Sequence, residues 1–203
     1  MRGTVAREMS AARPLIKENA TLEDLEALPE GMRGEIIDGV LYAMTRPRGV
    51  HQAMLGEVYT LVSDTFQRGR GGPGGWWILP EPGIELPRAK EFSPDVAGWT
   101  RERLPRVPRD QAITVVPDWV CEVLSPTTRR HNLLVKRPFY ASVGVRWLWL
   151  VDLEAMLLSV QRNDDGRWTE LALLGDEREA RVPPFEATPI DLRAWWDTLE
   201  SAS

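Results

Sequence analysis

Cysteine is nearly absent from the 203-residue sequence, and its single example, Cys121, can form no internal disulfide. Cys121 lies in the apolar run Trp119 to Leu124, where a thiol reads as a buried, inert one rather than a nucleophile. Long apolar runs are missing too. No segment approaches the roughly 18 uninterrupted apolar residues of a membrane span, and the first residues lack the apolar run of a secretory signal. The expectation is a soluble, cytoplasmic chain with no membrane partner. Positive charge is in deficit: the formal net charge is -5, which argues against a polyanion binder held by bulk charge. Basic residues still cluster locally, as Arg101, Arg103, Arg106 and Arg109 and as Arg129, Arg130, Lys136 and Arg137. For the first cluster, phosphate contact and a solvated loop punctuated by Pro105 and Pro108 both stand.

The length suits one hydrophobic core, and no composition break marks a second domain. Residues 1–20 mix Arg7, Glu8, Arg13, Lys17 and Glu18 without an apolar face, so they read as a flexible arm before a single domain over 21–203. Thr21 and Asp24 form a capping-box pattern that opens a short helix through Leu28. Gly34 to Ile37 and Val40 to Met44 flank Asp38-Gly39, a dipeptide suited to a type I′ hairpin turn. Met54, Leu55, Val58, Leu61, Val62 and Phe66 recur at helical spacing, which predicts an amphipathic helix from about Val50 to Arg68. Gly69 to Gly75 ends it. That stretch lacks the Lys-Ser/Thr ending of a phosphate-binding loop and reads as a turn.

Short strands follow: Trp76 to Leu79, Gly83 to Leu86, Asp95 to Trp99 and Trp119 to Leu124. A helix is predicted from about Thr128 to Val143, with a kink or early break near Leu134 to Pro138, because an interior proline removes a hydrogen bond at a cost of about 3 kcal/mol. Trp147 to Asp152 reads as a strand buried on both faces. Leu157 to Arg162 and Trp168 to Leu174 form a hairpin around Asn163 to Gly166, and a helix over Ile190 to Leu199 closes the chain. There is no internal repeat. Trp76, Trp77, Trp119, Trp147, Trp149 and Trp168 fall in apolar strand runs, where core filling outweighs base stacking. Trp195 and Trp196 pack on the domain or on a second subunit, which leaves a homodimer open.

Asp95 opens one strand and Glu122 sits inside the next. Neighbouring strands bring carboxylates from distant segments to one point, and hard divalent cations require such oxygen ligands. Glu122, flanked by Trp119, Val120, Cys121, Val123 and Leu124, needs a metal, an ion-pair partner or a raised pKa if it is buried. A structural ion pair with an arginine is the alternative to a metal site.

Ser93-Pro94-Asp95, then Glu122-Val123-Leu124-Ser125-Pro126-Thr127-Thr128-Arg129-Arg130, Lys136-Arg137, Tyr140-Ala141, Gly144-Val145 and Trp149-Leu150-Val151-Asp152 form an ordered set. From about Thr21 to Arg162 the chain resembles the Uma-type family of restriction endonucleases, within the PD-(D/E)XK nuclease superfamily. The resemblance implies an α/β fold: a restriction-endonuclease-like mixed central sheet flanked by helices, with an N-terminal β-hairpin and a C-terminal hairpin plus helix. Pro94-Asp95 matches the first half of the motif and Glu122 the acidic second half. Leu124 stands where the superfamily lysine usually falls, and the family's relocated lysine corresponds to Lys136 on the following helix.

The resemblance implies a DNA endonuclease in which Asp95, Glu122 and the Val123 carbonyl hold Mg²⁺ or Mn²⁺ and Lys136 stabilises the transition state. An ordinary exposed helix lysine is the alternative for Lys136. Glu35 matches the acidic residue of the family's Glu-x-Ile-Asp-Gly segment, as an extra metal ligand or a solvated strand charge. His51, after Arg48-Gly49, lines the site or caps a helix at the surface. Asn132 stands where the family usually has Asp, and Trp147-Leu148-Trp149 where it has Glu-Tyr-Trp. Both changes remove negative charge, which leaves a second reading: a catalytically silenced nuclease fold that binds a protein or nucleic acid. His131 matches no family motif.

Overall fold

The computed structural model describes residues 15–45 and 49–201. Two sheets carry the chain. The first has the order β1-β3-β2-β6-β5, built from β1 (Leu15–Lys17), β2 (Met32–Ile37), β3 (Val40–Thr45), β5 (Ile84–Leu86) and β6 (Ala89–Phe92). The second is mixed, with the order β11-β10-β9-β8-β7-β4. Its strands are β4 (Trp76–Pro80), β7 (Val96–Thr100), β8 (Trp119–Leu124), β9 (Trp147–Asp152), β10 (Leu157–Asp164) and β11 (Arg167–Leu174). Among the described strands of this sheet only β8 and β9 run parallel; the helical stretch between them provides the crossover such a pair needs.

Alternation along the strands divides the core into two. Trp119, Cys121 and Val123 of β8 and Trp149 and Val151 of β9 face α2 (Val50–Val62) and α5 (Leu192–Ser201). Val120, Leu124, Leu148 and Leu150 face the first sheet and α4 (Arg137–Val143). With a side-chain period of two, Glu122 necessarily joins the second group. Trp195 and Trp196 are buried in the first core, so the domain itself receives both rings.

α1 (Leu22–Glu26) is shorter than expected but keeps its capping box, with the Thr21 amide donating to Asp24 at 2.9 Å. The arm expected over 1–20 lies outside the described residues up to 14. Leu15–Lys17, by contrast, pair antiparallel with Leu41 to Ala43 as β1. Arg48 also lies outside the described residues. α2 continues into a π-helical turn, Ser63–Gln67.

The predicted break near Pro138 takes a definite form. α3 (Arg129–His131) passes into a π-helical turn, Asn132–Lys136, before α4 begins. There the Arg137 amide reaches back five residues to the Asn132 carbonyl. Pro138 has no amide to donate and its ring crowds the carbonyl four residues earlier. The wider turn accommodates both defects without ending the helical run.

Candidate active site

β7 and β8 pair antiparallel with Val96 opposite Cys121, and the backbone ladder stops there. Asp95 replaces the next rung with its side chain, accepting the Val123 amide at 2.8 Å. This contact draws Asp95 and Glu122 together at the end of the strand pair. Both are buried, at 3% and 1% exposure, so each must be compensated.

The helical run after β8 supplies compensation for Glu122. Lys136 Nζ lies 2.6 Å from Glu122 Oε1 and 3.3 Å from Glu35 Oε1, and donates to the Ser93 carbonyl at 3.0 Å. One turn later, Tyr140 donates its hydroxyl to the same Glu122 Oε1. Glu35, carried in by β2, accepts the Ser93 amide at 3.2 Å and lies 3.2 Å from His131 Nε2 and 3.4 Å from Arg33. His51, near the start of α2, places Nε2 3.2 Å from Asp95 Oδ2.

The charges are strongly coupled. Burial pushes the Glu122 carboxyl up to about 7; Lys136 opposes this, while Asp95 and Glu35 add repulsion. Burial would also raise Glu35, but Lys136, His131 and Arg33 prevail and hold it well below the usual carboxylate range. Asp95 is likewise lowered against its burial, chiefly by His51 and Lys136. Lys136 loses solvation, yet Glu122 and Glu35 raise its pKa above the usual lysine value. His51 is raised against burial by its hydrogen bond and charge interaction with Asp95. Burial lifts the Tyr140 phenol well above its ordinary value, with Glu122 and Glu35 adding to the shift.

Arg33, Glu35, His51, Asp95, Glu122, His131 and Lys136 line a cavity of about 20 Å³, room for one water or one small ion. Its carboxylates are asymmetrically occupied. Glu122 is gripped at Oε1 by Lys136 and Tyr140, and Asp95 at Oδ2 by Val123 and His51. Among the described residues no hydrogen bond reaches Glu122 Oε2 or Asp95 Oδ1. Nor do three His, Cys, Asp or Glu side chains converge in ligand geometry among those residues. Two oriented carboxylates with free oxygens fit a cation bound through one or two carboxylates, as Mg²⁺ usually is, better than one needing a full protein cage.

The family model described as Uma2, "Putative restriction endonuclease", matches residues 21–193. The chain belongs to the Uma2 family. A crystal structure from Anabaena variabilis ATCC 29413, described as a putative nuclease belonging to DUF820, is 22% identical with a TM-score of 0.69. The match covers 89% of this chain and 99% of that one, which shows a shared fold. No curated protein matches the chain. Family membership supports a nuclease function.

The Uma2 fold gathers Asp95, Glu122, Lys136, Glu35, His51 and Asn132 around the cavity. Several alternatives for single residues fall. Lys136 is 2% exposed and Glu35 2%, so neither is a solvated charge. His51 is buried against Asp95, not a surface cap. Glu122 pairs with a lysine and a tyrosine rather than an arginine. Lys90, by contrast, is exposed beside Glu85. Asn132 is buried at the wall, but its side chain makes no hydrogen bond to Lys136. Of the two basic clusters, Lys136 lines the cavity, while Arg101 lies over the Trp77 ring, Arg103 pairs with Asp118, and Arg129 pairs with Asp152.

Sequence reasoning left His131 and Arg33 unassigned and gave Tyr140 no role. The spacing of Lys136 and Tyr140, one turn apart beyond a buried acidic residue, was the available signal for Tyr140. Nothing local identifies His131, whose partner Glu35 is 96 residues away.

Proposed function

We propose that this Uma2 protein is a divalent-metal-dependent endonuclease that hydrolyses DNA phosphodiester bonds. The observation that carries this reading is the pair Asp95 and Glu122, each gripped at one oxygen and free at the other, on the wall of one ion-sized cavity. Asp95 and Glu122, with the Val123 carbonyl, would hold Mg²⁺ or Mn²⁺. When bound, the cation supplies Lewis-acid stabilisation of phosphate charge and makes water a stronger acid.

The chain's own residues prepare the site. Lys136 stays protonated between Glu122 and Glu35 and fixes a positive charge where the phosphoryl group becomes more negative. His51 and the Val123 amide hold Asp95 in one orientation. The cavity is too small for a nucleotide, so the scissile phosphate meets it at the mouth.

The silenced-nuclease reading rests on the charge missing at Asn132 and Trp147. Glu35 already supplies a carboxylate to Lys136, which favours an active site. The test is cleavage of supercoiled plasmid and duplex oligonucleotides in Mg²⁺ and Mn²⁺. Wild type should cut, and Lys136→Ala should lower kcat roughly 10²- to 10³-fold with a far smaller change in metal affinity. A folded wild type that cuts no DNA with either metal, or a Lys136→Ala variant as fast as wild type, would sink the proposal.

A further inference from the structure

Tyr140 presents an interaction that core packing alone does not require. Its ring is fully buried, set edge-on to Phe92 with centroids 5.2 Å apart, and a phenylalanine would fill that space equally well. The hydroxyl is what distinguishes it, and the hydroxyl is spent on Glu122 Oε1. Lys136 is bound to the same oxygen but divides its ammonium among Glu122, Glu35 and the Ser93 carbonyl. Tyr140 has Glu122 as its one acceptor among the described residues.

A glutamate carboxylate turns easily about its last side-chain torsion. Two donors on one oxygen stop that rotation and leave Oε2 as the oxygen available for a ligand. Donors that orient a ligating carboxylate typically change metal affinity 10- to 100-fold when removed. We infer that Tyr140 is a positioning residue that fixes Glu122 with Oε2 turned to the cavity and so sets the affinity of this chain for a divalent cation. The inference rests on the ion site proposed above, and its test separates the two.

The experiment is Mn²⁺ titration calorimetry on the full chain, comparing wild type, Tyr140→Phe and Phe139→Leu, with urea unfolding of each metal-free protein. Phe139 is buried on the same helix and packs against Phe92, so Phe139→Leu loosens the helix without touching Glu122. Tyr140→Phe should bind Mn²⁺ roughly 10- to 100-fold more weakly, while Phe139→Leu should lose stability without that loss of affinity. An unchanged affinity in Tyr140→Phe, or an equal loss in Phe139→Leu, overturns the role of Tyr140 and leaves the ion site standing. A wild type that gives no Mn²⁺ isotherm overturns both.

Discussion

At Lys136 the ammonium is held by Glu122 at 2.6 Å and Glu35 at 3.3 Å, so its charge does not depend on position 132. Asn132→Asp would add a carboxylate at a site only 4% exposed, beside groups already rich in negative charge. Wild type should therefore cut DNA, and Asn132→Asp should change kcat by less than about tenfold while costing roughly 1–3 kcal/mol of stability in urea unfolding. An inert wild type revived by Asn132→Asp would show instead that the charge at 132 decides activity. Legibility differed between residues for a physical reason. Asp95 and Glu122 could be read from acidic residues set against apolar strands, and Lys136 from the family resemblance. His51 lies beside Gln52 and His131 between Arg130 and Asn132, with nothing local to single them out, and only the tertiary contacts to Asp95 and Glu35 give them meaning.

Among the elements, β8 and β9 were legible to the residue because both are apolar runs, interrupted only by Glu122 and closed by Asp152, between turn residues. β6 was not foreseen. Its Ala89-Lys90-Glu91-Phe92 places two charges between two buried ends, a pattern that resembles a loop until β2 and β5 are seen to flank it. Pro138 marked the helical break, but sequence did not show that the break would be a π turn placing His131, Asn132 and Lys136 on the cavity wall. β7 has a tighter constraint. A Cβ on Gly98 would lie 2.9 Å from Ile78 Cδ1 and 3.1 Å from Trp119 Cε3, packed between β4 and β8. Gly98→Ala should cost roughly 1–3 kcal/mol through overpacking, measured as a lower urea midpoint. Unchanged stability would mean that the neighbouring side chains yield freely.

Across the whole molecule, the mixed sheet separates two apolar cores, and the polar cluster lies where β2, the end of the β7–β8 pair, α2 and the π turn converge. This explains why a chain of net charge -5 can serve a phosphodiester substrate in the proposed account: the cation and Lys136 provide positive charge at one point, without a basic surface. In the proposed function Asp95 and Glu122 share that cation. Burial pushes Glu122 up to about 7, so a proton competes with metal below that pH and affinity should rise from pH 6 to pH 8. The most direct measurement is the Mn²⁺ isotherm of wild type, Asp95→Ala and Glu122→Gln at pH 8, each checked for folding. Wild type should bind Mn²⁺ saturably and both substitutions should abolish binding; an isotherm unchanged by either rules out a shared ion.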